Sequence, residues 1–155
     1  IDMLLAQRFG MEYTDADGQK KRPYIIHRTS LGCYERTLAY LIETYAGALP
    51  LWMMPTQVVV IPIADRAHDY AKQLVEKLSA AGIRAEADTR SEKLGYKIRE
   101  AQVQKVPYML VVGDRDMENG TVSVRTRQGE DLGAMSLDAF AAKCQSEIAS
   151  KSRDV

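Results

Sequence analysis

Histidine and cysteine are scarce in this chain, with two of each in 155 residues, and tryptophan occurs once. Cys33 and Cys144 stand far apart, in helical patterns among apolar neighbours, where a reduced cysteine acts as a small hydrophobe. A disulfide framework is not expected, and a cytoplasmic setting is. There is no CxxC pair, P-loop, dinucleotide fingerprint or nucleophile elbow. No apolar run approaches the ~20 residues that cross a bilayer, and no signal peptide opens the chain, so no membrane partner is expected. An excess of one charge is missing too: Lys plus Arg and Asp plus Glu both number 21. Global charge therefore advertises neither DNA nor RNA, and any basic surface must be local.

The content that remains, 46% hydrophobic and 27% charged, is that of a globular protein with one domain, or one domain plus part of another. The first residue is Ile1, and we expect a chain that starts inside a larger protein. Ile1 to Phe9 reads as extended, Met11 to Thr14 as a second strand, Asp15-Ala16-Asp17-Gly18 as a reversing turn and Pro23 to His27 as the return strand. So small a hairpin belongs to a larger antiparallel sheet. Helical spacing follows from Leu31 to Tyr45, with Leu31, Tyr34, Leu38, Leu41, Ile42 and Tyr45 on one side and Gly47 as the stop. Pro50-Leu51-Trp52-Met53-Met54-Pro55 reads as an ordered connection. The division is thus 1–49, a linker over 50–56 and a domain over 57–155.

In that domain Gln57 to Ile63 is a β-branched run, and Asp65 is placed to N-cap a helix bearing Ala67, Tyr70, Ala71, Leu74, Val75 and Leu78. Ile83 to Ala87 is the next strand. From Ser91 the spacing puts Leu94, Ile98 and Ala101 on one helix face and leaves Lys93, Lys97, Arg99 and Lys105 to solvent. The period then changes: Val106 to Val112, bounded by Pro107 and Gly113, reads as a strand covered on both faces. Asp114 to Gly120 is a polar turn, Thr121 to Arg127 a half-exposed strand and Leu137 to Ile148 a final helix. The order predicts an α/β fold: a mixed, mostly parallel sheet flanked by helices and finished by an antiparallel strand, preceded by a hairpin and a helix.

Local chemistry leaves alternatives open. Arg36, near a helix start after Gly32, could clamp phosphate. His27 ends a strand, and without further ligands it is more simply a structural histidine; His68 is more simply a surface residue. The basic stretch from Arg90 to Lys105 is either a solvated face, with Glu92 and Glu100 pairing lysines, or an anion platform. Tyr96 would add a stacking surface, and Arg125 and Arg127 would extend the patch. Asp114 and Asp116 fit turn chemistry.

At His27-Arg28-Thr29-Ser30-Leu31-Gly32-Cys33-Tyr34-Glu35-Arg36 the chain resembles the third signature motif of class II aminoacyl-tRNA synthetases, in the form carried by the threonyl-tRNA synthetases. The resemblance continues through Ala46-Gly47, Gln57-Val58-Val59, the run Glu92-Lys93-x-Gly95-x-Lys97-Ile98-Arg99-Glu100, Val106 to Val111, Val124-Arg125-Thr126-Arg127 and Asp131-Leu132-Gly133. It covers nearly the whole chain. It implies that residues 1–49 end a class II catalytic domain and that 57–155 form an anticodon-binding domain.

By that resemblance Arg36 is a catalytic residue holding ATP phosphate. Cys33, standing where the family has a serine, falls in the same cofactor-binding set, and ATP would come with magnesium. His27 matches one of three ligands of a zinc that binds threonine; the other two, a cysteine and a histidine, would lie before Ile1, as would motifs one and two. Lys93, Arg99 and Arg125 match residues that read the anticodon of threonine tRNA. Ser91 stands where the family commonly has asparagine, and Asp116 where it commonly has glutamate. Lys97 and Lys105 are left as backbone or surface charges. The implied parent is an ATP-dependent threonine–tRNA ligase, a cytoplasmic homodimer with no DNA or membrane partner, and the chain alone is expected to be non-catalytic. The competing expectations are a non-catalytic RNA-binding protein reusing the same domain, and a small-ligand α/β module.

Overall fold

The β-branched runs become the middle of a sheet. In the computed structural model, which describes residues 1–30 and 32–153, β3 (Val58–Pro62) and β5 (Tyr108–Val112) lie side by side in parallel, β5 with all five residues buried. β4 (Ala85–Ala87) pairs parallel to the other side of β3. β6 (Thr121–Thr126) runs antiparallel to β5, and β7 (Asp131–Ser136) antiparallel to β6, giving the order β4-β3-β5-β6-β7. The α/β class and the mixed sheet agree with the sequence. β7 is an addition to it.

The two crossovers leave the sheet on opposite faces. After β3 comes α3 (His68–Ala80), whose Ala71, Leu74 and Leu78 pack with Phe140 and Cys144 of α6 (Leu137–Ser150) over Val58, Val60, Tyr108, Leu110, Val122 and Val124. Tyr108 and Phe140 meet edge to face at 5.4 Å. After β4 comes α4 (Leu94–Val103), which sets Leu94, Ile98 and Ala101 on Val59, Ile61 and Met109 of the other face. Each Val, Leu, Ile, Met or Phe among them contributes ~1.5–3 kcal/mol when fully buried, so these two layers hold the domain together.

Several expectations are corrected. Asp65 does not cap α3: it starts a 3-10 turn, Asp65–Ala67, and α3 begins at His68 with no side-chain cap. The polar turn after Gly113 is a short helix, α5 (Asp114–Asn119), closed by Gly120 in the left-handed region. The stretch 50–56 packs onto the domain that follows it. Leu51 is buried in the main core, Gln57 donates to Leu51 O at 2.8 Å, and Arg84 donates to the carbonyls of Trp52, Met54 and Pro55.

The chain divides into two compact units, Ile1–Ala39 and Tyr40–Val155. In the first, Ile1 to Phe9 is not extended: Asp2 accepts hydrogen bonds from the Leu4 and Leu5 amides at 2.8 Å and starts a one-turn helix, α1 (Leu5–Arg8). The Asp15–Gly18 turn joins β1 (Tyr13–Thr14) to β2 (Lys20–Lys21). The return strand expected over Pro23 to His27 is reduced to one bridge, Asp2 with Ile25, since Pro23 has no N–H to continue a ladder. α2 (Tyr34–Tyr45) straddles the division, and Tyr34, Leu38 and Ile42 of its expected apolar side are exposed. Leu31, the expected start of that helix, lies outside the described residues.

Candidate nucleic-acid interface

β3 and β4 end side by side, and the loops that follow them diverge to opposite faces of the sheet. Between these loops lies a cleft of about 250 Å³ lined by Ile63, Asp65, His68, Ser91, Lys93 and Lys97. A crevice beyond the carboxyl ends of parallel strands, where connections part, is the usual ligand position in an open α/β sheet. Ser91 and Lys93, both exposed, sit on its rim.

α4 covers only half of its face of the sheet. The residues of β6 that point to the same side are Ser123 and Arg125, opposite Val111 and Met109, and both are half-exposed. At ~100° per residue the flanks of α4 can be assigned. One flank carries Lys97 and Glu100 and faces β4: Lys97 Nζ donates to Asp88 O at 3.0 Å, and Glu100 pairs with Arg90 at 2.8 Å. The other flank carries Gly95, Arg99 and Gln102 and faces β6. The Gln102 amide nitrogen lies 3.4 Å from where a Cβ on Gly129, in the β6–β7 turn, would stand. Arg99 and Arg125 therefore border the same open half of the sheet.

Asp116 closes the far end of this surface. It is buried; one carboxylate oxygen accepts the Gly113 amide at 3.1 Å, and the other accepts the hydroxyls of Thr121 at 3.2 Å and Ser123 at 3.3 Å. These bonds start α5 and fix Ser123 two residues from Arg125. Nearby, Arg66 and Asp114 form a two-pronged ion pair, with Arg66 Nε 2.6 Å from the carboxylate, tying the loop after β3 to α5.

The cationic stretch is smaller than its sequence suggests. The Arg90 guanidinium holds Asp88 below the ordinary carboxylate range, assisted by the Arg90 amide and the charge of Lys97, and Asp88 and Glu100 in turn hold Arg90 protonated. Of the two glutamates expected to pair lysines, Glu100 pairs with Arg90 instead. Lys97 is buried, against the expectation that it faces solvent. It is three residues from Leu94 and four from Ala101, so the helical period places it on their face, a signal that was legible. Arg127 also leaves the patch: it is half-buried, donates to Leu49 O at 2.7 Å, and burial lowers its pKa. Lys93, Arg99, Lys105 and Arg125 keep exposed or half-exposed positions, Arg125 in a 3.1 Å pair with Asp131.

The candidate site residues of the first unit, His27, Cys33 and Arg36, are all exposed. His27 is exposed, with Nε2 3.8 Å from Asp2 Oδ2. Among the described residues no group of three or more His, Cys, Asp or Glu is placed to hold a metal, so His27 could offer a zinc one ligand only. Cys33, expected among apolar neighbours, is exposed before the start of α2, and its thiol donates to Glu35 at 2.8 Å, lowering the pKa of that carboxyl. Arg36 is exposed in the first turn of α2. Among the described residues no helix is long and apolar enough to cross a membrane.

Comparison with known proteins bears directly on this surface. Residues 57–147 match the family model described as an anticodon binding domain. The chain is 58% identical over 153 residues to a threonine–tRNA ligase of Clostridium botulinum, covering 99% of this chain and 24% of that protein. It is 49% identical over 154 residues to the threonine–tRNA ligase of Halorhodospira halophila, again covering 24% of it. The chain thus spans about a quarter of the length of the curated relatives it matches. A crystal structure of the RNA binding domain of threonyl-tRNA synthetase from Cryptosporidium parvum superimposes with a TM-score of 0.71 at 33% identity, over 94% of this chain and 37% of that one.

Proposed function

We propose a function from this premise: the chain belongs to the anticodon-binding domain family. It serves a threonine–tRNA ligase by holding the anticodon loop of threonine tRNA, with Ser91, Lys93, Arg99, Asp116 and Arg125 reading it. The observation that carries this is the open half-sheet. Arg99 and Arg125 flank it, Asp116 closes its end, and Ser91 and Lys93 stand at the cleft beyond β3 and β4. An exposed and a half-exposed arginine beside an uncovered sheet face suit unpaired bases, which are read at their edges while phosphates are held by charge. Asp116 contributes chiefly by orienting Ser123, its oxygens being already engaged.

The parent enzyme would join threonine to tRNA at the expense of ATP, with magnesium and zinc, as a cytoplasmic homodimer with no DNA partner. Arg36 would hold ATP phosphate, Cys33 would border the nucleotide and His27 would supply one zinc ligand. We place the end of that catalytic part at residue 49 and the recognition domain over 57–155, joined through 50–56. The 155-residue chain alone supplies recognition and not charging.

The test is titration of the chain with threonine tRNA and with an anticodon-altered version at several salt concentrations. The altered tRNA is expected to bind roughly 10-fold or more weakly, since each wrong base costs ~1–3 kcal/mol. Arg125→Ala should erase most of that difference. Equal affinity for both tRNAs throughout would leave only non-specific charge attraction and sink the reading.

A further inference from the structure

The cleft beyond β3 and β4 has a floor that Ser91 and Lys93 do not account for. Lys97 is 4% exposed, and its ammonium, with three donors, has one acceptor among the described residues, Asp88 O. No described carboxylate lies within ion-pair distance of it: both Asp88 oxygens are turned onto Arg90, at 2.9 and 2.7 Å. Burying an ammonium with so few partners is costly and needs a reason. We propose that Lys97 is a base-reading residue, whose ammonium donates to the keto oxygen of one unpaired nucleobase seated in this cleft.

The surroundings favour a base over a phosphate. The volume of about 250 Å³ admits a nucleobase. Ile63, 55% exposed, gives the wall an apolar surface for a ring face, and His68 lines the same cleft. Asp65 and Glu92 line the cleft beside Arg90 and Lys93, so its charge is mixed and does not mark it as a dedicated phosphate site. The Lys97 ammonium presents only N–H donors, so it binds O6 of guanine or O4 of uracil and opposes the amino groups of adenine and cytosine.

The inference rests on the anticodon-loop reading, and the experiment separates their failures. The 155-residue chain is titrated with the anticodon stem-loop of threonine tRNA and with versions in which one anticodon base at a time loses its keto oxygen: 2-aminopurine for guanine, pyrimidin-2-one for uracil. One modified RNA should bind roughly 10- to 100-fold more weakly. Lys97→Met, its folding verified by thermal unfolding, should lose the same factor on the unmodified RNA and nothing more on that modified one, with the slope of affinity against salt unchanged. A shallower slope would assign Lys97 to a phosphate and overturn the proposal. If every modified RNA binds like the parent, the proposal fails whether or not the variant folds. Discrimination against altered anticodons would then show that only the role of Lys97 has fallen, and its absence that the anticodon reading has fallen with it.

Discussion

Tyr108 carries a hydroxyl into a core of valines and leucines, and α6 supplies what it needs. The hydroxyl donates to Glu147 at 3.0 Å and accepts from Lys143 at 2.8 Å, and Lys143 and Glu147 are themselves ion-paired. Burial pushes the Tyr108 pKa up to about 12, Glu147 adding to the rise and Lys143 opposing it. Burial likewise pushes Cys144 up to about 12. Lys143 is pulled down by burial, but its bonds to Glu147 and Tyr108 leave it above its ordinary value. All three hold their protons more tightly folded than unfolded. Between pH ~9 and ~12 the unfolded chain therefore binds fewer protons, and stability falls as pH rises, its full contribution being present below pH ~9. Denaturant unfolding at steps across this range should show the decline, and Tyr108→Phe should flatten its upper part while costing ~1 kcal/mol at neutral pH. A wild-type profile level from pH 9 to 12 would contradict this account. At this scale legibility was mixed. Lys97 obeys the helical period, whereas Arg127 is drawn inward by a carbonyl 78 residues away, which no local pattern encodes.

Among the elements, those with a clean period were legible and those that break it were not. β3 shows a β-branched run, β5 a continuous apolar run and β6 strict alternation, and the burial of β6 alternates along its whole length. β7 was missed because its pairing with β6 shifts register between Val124 and Arg125, so Leu132 and Met135, three apart, both pack on the core. The six residues of α5 are too few to display a 3.6 period, so in the sequence they carry only the polar composition of a turn. The irregularity of β7 is built on Gly133, which has φ +80° and sits opposite Val124. Alanine there has room but is strained, so Gly133→Ala should cost about 1 kcal/mol. Hydrogen exchange would localise the damage: amides of β7 should lose more protection than those of β5, and equal losses in both strands would show that the glycine matters to the sheet as a whole and not to this edge.

For the whole molecule, the order of strands and helices sufficed for the α/β class and for the turn from parallel to antiparallel pairing. It could not show where the stable domain begins, because that depends on contacts between residues far apart in sequence. The stretch 50–56 reads as an ordered connection, and its anchoring lies in distant contacts: Leu51 is 1% exposed in the main core, and Gln57, fully buried, links Leu51 O to the Arg84 amide with two 2.8 Å bonds. Arg84 binds three carbonyls of the same stretch, and Arg127 binds Leu49 O. A chain shortened to begin at Ala48 keeps all of these contacts. It should unfold cooperatively with a midpoint within a few degrees of the 155-residue chain, a shift that corresponds to less than about 1 kcal/mol. A chain beginning at Gln57 loses Leu51, worth ~1.5–3 kcal/mol. It also strands Gln57 and the guanidinium of Arg127, each partner lost costing ~1–3 kcal/mol. The sum, on the order of 5 kcal/mol, is comparable to the whole stability of a small domain, so this shorter chain should be largely unfolded or aggregated at 37 °C. Should it instead match the chain from Ala48 in thermal unfolding, residues 48–56 would be a connection after all, and the packing of Leu51 and the hydrogen bonds of Gln57, Arg84 and Arg127 would contribute little to the fold.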